Sequence, residues 1–133
     1  MSHWAVQYIG IPWSRGGSGP DSYDCWGFLR MVMDRHYGIQ MPEIDDRRFD
    51  ARRAANQIST NQERQNWYSV DAPADGDVVL MCRARIPVHI GLWVLAGNSA
   101  GVLHCAERMG VLFSSLNAAK QMGWNQCEYL RRK

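Results

Sequence analysis

Cys25, His89 and His104 are the residues whose types and settings suggest chemistry. A thiol near neutral pH is mostly protonated, so a nucleophilic cysteine needs a helix N-terminus, a nearby imidazolium, or both, to favour the thiolate. Cys25 opens an apolar stripe with Phe28, Leu29, Val32 and Met33 at the i, i+3, i+4, i+7, i+8 spacing of a buried helix face. Asp21 or Ser22 can cap that helix, and Gly38 can end it with Pro42 just beyond, which places Cys25 in the first turn. His89 and His104 then supply a base and a third polar group to orient it, the set with which a cysteine hydrolyses amides through a thioester. Taken from spacing alone, a helical cysteine with a histidine elsewhere also fits a purely structural role.

The elements that must position these residues follow from local pattern. The segment Ile9 to Pro20 is rich in Gly, Pro and Ser and predicts a shaped loop leading to the helix. Asp45 to Gln65 is strongly charged with a thin apolar face of Phe49, Ala54 and Ile58, and predicts a helix whose Arg47, Arg48, Arg52 and Arg53 form a solvated face. After the Ala74-Asp75-Gly76 turn, Asp77 to Met81 predicts a strand. In the next strand Val88, Ile90, Leu92 and Val94 alternate with His89, Gly91 and Trp93, so His89 lies on the face opposite the aliphatic residues. A turn at Gly97 to Gly101 separates it from a third strand, Val102 to Ala106, which carries His104. If that turn closes a hairpin the two histidines sit on adjacent strands, although the loop is too long to fix which residues face each other. A fourth strand at Val111 to Leu116, a helical turn at Asn117 to Met122 and a closing strand at Cys127 to Arg131 complete an α+β chain of one domain, residues 1–133.

Composition excludes several partner classes. With 133 residues, 46% apolar and 21% charged, the chain can bury one core, and a formal charge of +2 argues against nucleic acid or a membrane surface as the main partner. The first residues have neither a basic n-region nor an apolar h-region, so no export signal of the usual kind is expected. Cys25, Cys82, Cys105 and Cys127 form no CxxC pair, which predicts free thiols and neither a metal site nor a disulfide framework. Gly16-Gly17 lacks the Lys-Ser/Thr of a phosphate loop, and no cofactor is expected. His36 and His3 read as a helix-end and a terminal residue, and Trp4, Trp67 and Trp124 as packing.

The words around these residues carry a resemblance. Tyr8-Ile-Gly-Ile-Pro-Trp13, Gly16-Gly17 and Tyr23-Asp24-Cys25-Trp26-Gly27-Phe28 resemble the opening of the NlpC/P60 family of papain-like cysteine peptidases, where a short loop leads into DCSGF and a core helix. Asp75-Gly76-Asp77-Val78-Val79, Val88-His89-Ile90-Gly91-Leu92-Trp93 and Val102-Leu103-His104-Cys105-Ala106 look like that family's three following strands. The resemblance implies N-terminal helices packed on a central antiparallel sheet, Cys25 as nucleophile, His89 as base and His104 as its orienter. It also implies that Asp24 binds a substrate amine and that the Cys25 amide contributes to the oxyanion hole. Trp13 stands where the family usually has Tyr, and Trp26 where it usually has Ser, both beside the substrate; Trp93 shares the face of His89 and could line the cleft. The expected activity is cleavage of a peptidoglycan stem-peptide amide, such as the D-γ-glutamyl to diaminopimelate bond. Asp-Cys-Trp-Gly followed by Phe-Leu-Arg looks most like short members from phage tails, which implies tail-tip or hub partners and a virion location, with action in the periplasm or cell wall. Two other readings are a structural tail component with a vestigial hydrolase fold, and a secreted antibacterial amidase effector.

Overall fold

A computed structural model describes residues 3–42 and 62–133. A 3-10 helix at Trp4–Tyr8 leads through the Gly-rich loop to α1, Cys25–Tyr37. A second 3-10 helix, Gln62–Asn66, precedes β1, Trp67–Val70. Then come β2 (Val78–Arg83), β3 (Ile86–Ala96), β4 (Ser99–Ala106), β5 (Gly110–Ser114), the short helix α2 (Leu116–Gln121) and β6 (Asn125–Arg132). The strands form one six-stranded antiparallel sheet in the order β1-β6-β2-β3-β4-β5. The α+β expectation, with N-terminal helices on an antiparallel sheet, holds.

Strand alternation divides the sheet into two apolar faces. Under α1, its residues Phe28, Leu29, Val32 and Met33 pack with Val78 and Leu80 of β2, Ile90, Leu92 and Val94 of β3, and Leu103 and Cys105 of β4. The other face gathers Val79, Met81, Trp93, Val102, Ala106, Trp124 and Tyr129, with Leu116 and Met122 from α2 and its end packed against them. Because both faces are covered, the central strands read as near-continuous buried runs; Val78 to Cys82 is buried at every position. Each such aliphatic side chain contributes about 1.5–3 kcal/mol by leaving water. At the end of β6, Arg131 donates two hydrogen bonds to the buried Asp77 carboxylate, at 2.9 and 2.8 Å, tying β6 to the turn before β2.

Three expectations need amendment. The cap of α1 is Asp24, not Asp21 or Ser22, so the helix begins at Cys25 itself. Residues 21–23 are held in the loop by backbone bonds instead, Gly19 N to Ser22 O at 2.8 Å and Tyr23 N to Pro12 O at 3.1 Å. Cys82 is disulfide-bonded, which leaves Cys25 and Cys105 as the free cysteines among the described residues. A pairing made through the fold, without a CxxC spacing, leaves no mark in the sequence. The strand β1 was not predicted; it is only four residues long, between the charged stretch and the Ala74-Asp75-Gly76 turn. The charged helix expected over Asp45 to Gln65, with its arginine cluster, lies outside the described residues except at 62–65, which belong to the second 3-10 helix.

Candidate active site

The N-terminus of α1 is built by its cap and by the loop beneath it. Asp24 has extended backbone and its Oδ1 accepts from the Gly27 amide at 2.6 Å, while its own amide donates to Gly17 O at 3.0 Å. A Cβ at Gly27 would run into the Gly17 carbonyl oxygen, so the Gly-rich loop can lie against the first helical turn only if position 27 is glycine. Cys25 follows as the first helical residue, 2% exposed, within the cluster under α1 that also holds the free Cys105. The Cys105 thiol donates to Tyr23 O at 3.3 Å.

Burial pushes the Cys25 thiol well above its ordinary range, and the Asp24 carboxylate and Cys105 push it the same way, against the amides of Trp26 and Cys25. Cys105 is pushed up to about 12, again chiefly by burial and then by Asp24. Asp24 is itself raised by burial, which outweighs the amides of Gly27 and Gly16 that favour its charge. Cys25 therefore rests as a thiol.

The histidines form the second half of the site. His89 Nε2 and His104 Nδ1 share a hydrogen bond of 2.8 Å, and His104 Nε2 meets Ser114 Oγ at 3.0 Å. All three residues are almost sealed from solvent, at 2%, 1% and 3% exposure. The Trp124 ring stacks on His89 with centroids 4.7 Å apart and stands edge-on to His104 at 5.3 Å. Arg83 lies over the Trp124 ring, its guanidinium carbon 5.7 Å from the centroid. Burial holds His89 well below its ordinary value, helped by His104 and Arg83, and lowers His104 to about 4. Both rings rest neutral.

The structure brings His89 and His104 together, on adjacent strands. It does not bring Cys25 to them. Ile90, Leu92 and Val94 face α1, so His89, Gly91 and Trp93 point to the opposite side of β3, as alternation requires, and His104 does so beside Cys105 on β4. Cys25 and the histidine pair thus occupy opposite faces of the sheet, and no hydrogen bond joins them among the described residues. On its own face His89 is covered by Trp124. Among the expected substrate contacts, Trp26 is 3% exposed and its indole donates to Pro42 O at 2.9 Å, which anchors the chain beyond α1. Trp13 packs half-buried against the cluster under α1 and bridges to Tyr23. Trp93 shares the His89 face, its ring 6.1 Å from Tyr129. Among the described residues no group of three or more His, Cys, Asp or Glu could hold a metal ion.

Sequence reasoning passed over Ser114 and gave Trp124 only a packing role. Leu112 and Ser114 share a parity in β5, and the register His104 to Leu112 and Val102 to Ser114 sets Ser114 diagonally across from His104. Periodicity alone could have placed Ser114 on one face of its strand, but not on the face of His104.

Residues 10–127 match the NlpC/P60 family. A protein of Listeria innocua named as a probable endopeptidase p60 is 27% identical over 122 residues, which is 92% of this chain and 22% of that protein. Its counterpart in Listeria welshimeri is 26% identical over 92% of this chain and 19% of its own length. The chain therefore spans about a fifth of the curated relatives it matches. Among solved structures, the NlpC/P60 domain of the peptidoglycan hydrolase SagA superposes with a TM-score of 0.61 at 19% identity, covering 97% of this chain and 92% of that one. A Bacillus cereus NlpC/P60 protein gives 0.64 at 19% identity, over 96% of this chain and 37% of that one. The match across most of the sequence and the shared fold make this chain a member of the NlpC/P60 family.

Proposed function

We propose that this chain is a peptidoglycan endopeptidase that cuts a stem-peptide amide, such as the D-γ-glutamyl to diaminopimelate bond, with Cys25 as nucleophile and His89 as base. The observation that carries this reading is that an Asp24-capped Cys25 opens the core helix while His89 and His104, at the positions of the family pattern, share a hydrogen bond of 2.8 Å. In the reaction Cys25 Sγ adds to the carbonyl carbon, its proton passes to His89, and the helix-terminal amide of Cys25 faces the oxyanion. His89 then protonates the leaving amine as the C–N bond breaks, and water cleaves the thioester to release the acid and the thiol. Catalysis requires a working arrangement in which His89 reaches Cys25 Sγ, so the end of the β3–β4 hairpin or the start of α1 must move. The short phage-tail form of the Asp-Cys-Trp-Gly-Phe-Leu-Arg stretch favours a tail-borne enzyme reaching the periplasm or cell wall with tail-tip or hub partners. The disulfide at Cys82 fits such an oxidising setting.

A second reading has its own support. The placement of Cys25 and the histidines on opposite faces, both buried and neutral, fits a structural tail component that keeps the fold without the reaction. Digestion of purified peptidoglycan, with mass analysis of the released fragments, separates the two. Fragments that appear with the wild type and vanish with Cys25→Ala support the hydrolase and name the bond; fragments from neither protein, on several peptidoglycan types, support the structural role.

A further inference from the structure

We propose that Ser114 is a positioning residue that sets the tautomers of His104 and His89, so that the nitrogen of His89 left free to take a proton is Nδ1. This inference rests on the hydrolase reading above. Its basis is the unbroken chain His89 Nε2 to His104 Nδ1 at 2.8 Å and His104 Nε2 to Ser114 Oγ at 3.0 Å, in a pocket where none of the three residues exceeds 3% exposure. A neutral imidazole has one donor and one acceptor nitrogen, so each bond in such a chain dictates the direction of the next. When Ser114 Oγ accepts from His104 Nε2–H, His104 Nδ1 must accept from His89 Nε2–H, and His89 Nδ1 keeps its lone pair.

The same direction is the one that a charged His89 needs. An imidazolium carries both N–H groups, so its Nε2–H must be accepted by His104 Nδ1, whose other proton must then be accepted by Ser114. Among the described residues no acidic side chain hydrogen-bonds to the chain, and Arg83, over Trp124, opposes a positive His89. A serine hydroxyl suits the end of the chain because its oxygen accepts from His104 Nε2–H whether His89 is neutral or charged.

Ser114→Ala removes the acceptor. An orphaned buried N–H is costly, so the proton of His104 moves to Nδ1, which then donates to His89 Nε2 and leaves the proton of His89 on Nδ1. The base is thereby reversed. Ser114→Thr keeps the hydroxyl at the same position. Histidine 15N shifts in wild type, Ser114→Ala and Ser114→Thr read the tautomers without reference to activity, and peptidoglycan turnover against pH reads the consequence. The expected result is a swap of protonated and unprotonated nitrogens on both rings in Ser114→Ala, a fall in kcat of about 10- to 10²-fold with KM little changed, an acid limb moved to lower pH, and recovery in Ser114→Thr. An unchanged 15N pattern in a folded Ser114→Ala overturns the inference, as does a kcat equal to that of an active wild type. A wild type that releases no fragments defeats the hydrolase reading instead, and the 15N pattern still decides whether Ser114 sets the tautomers.

Discussion

The two faces of the sheet solve the burial of reactive groups in opposite ways. Under α1, Cys25 and Cys105 are small, nearly apolar groups in an aliphatic cluster, and burial simply favours their protonated forms. On the other face, His89 and His104 are strongly polar, and each ring nitrogen that faces the interior of the pair is spent in a hydrogen bond that runs on to Ser114. Cysteine tolerates a dry core because a thiol loses little by going without a partner, whereas imidazole does not. On the proposed reading, the first face therefore stores the nucleophile in its inactive form, and the second stores the base already oriented. What remains for function is to bring the two together.

Substitutions that remove one store should have the largest effect. Cys25→Ala and His89→Ala are each expected to lower peptidoglycan turnover by about 10⁴- to 10⁶-fold, measured as fragments released per unit time. Turnover retained in His89→Ala would mean that the second face has no part in the reaction.

Next comes the cost of breaking the polar chain without touching the thiol. His104→Ala leaves a cavity and strands both His89 Nε2 and Ser114 Oγ, so urea unfolding should report a loss of about 2–5 kcal/mol. Cys105→Ala, the neighbouring residue on the opposite face, removes one sulfur and a single weak bond to Tyr23 O, and should cost about 1 kcal/mol. Equal losses would show that the chain adds nothing beyond packing.

Acid should also discriminate between the faces. His104 has a folded pKa lowered to about 4, below its unfolded value near 6.5, so below pH 6.5 the unfolded state binds more protons and stability falls as pH drops towards 4. For that one ring the loss is of the order of 3 kcal/mol, and the lowered His89 acts in the same direction. The cysteines do not titrate there. Urea midpoints between pH 7 and pH 4 should show this decline, and a flat profile would contradict a buried neutral pair.

The smallest effect tests the electrostatics of the first face. Asp24→Asn retains a good cap, so helix stability should change by about 0.5 kcal/mol or less. It removes the negative charge that raises Cys25, so the pH midpoint of Cys25 alkylation should move down.

Much of this division could be read in the sequence. The stripe from Cys25 to Met33 gave the face of α1, and alternation in Val88 to Val94 put His89 opposite the aliphatic residues, as the structure has it. The same alternation also implied that a helix packed on those aliphatic residues would lie across the sheet from His89, but nothing local says which strand face a helix covers. The hydrogen bond between the histidines depended on a register that the expected turn of Gly97 to Gly101 left open; in the structure only Gly97 and Asn98 separate β3 from β4, while Ser114 depended on a second register after a separate turn. The cap at Asp24 was hidden because Asp21, Ser22 and Asp24 are all competent caps, and the choice is made by backbone bonds from Pro12 and Gly19 to the loop.

The central claim is that Cys25 and His89 act as a unit although they rest on opposite faces, and Cys105 provides an internal control as a buried thiol on the same face as Cys25. Alkylation of both cysteines in the folded protein, resolved by mass spectrometry at pH 7 and repeated in His89→Ala, tests it most directly. The account predicts that Cys25 reacts faster than Cys105 and that His89→Ala slows Cys25 to the rate of Cys105. Equal rates in the wild type, unchanged by His89→Ala, would contradict it.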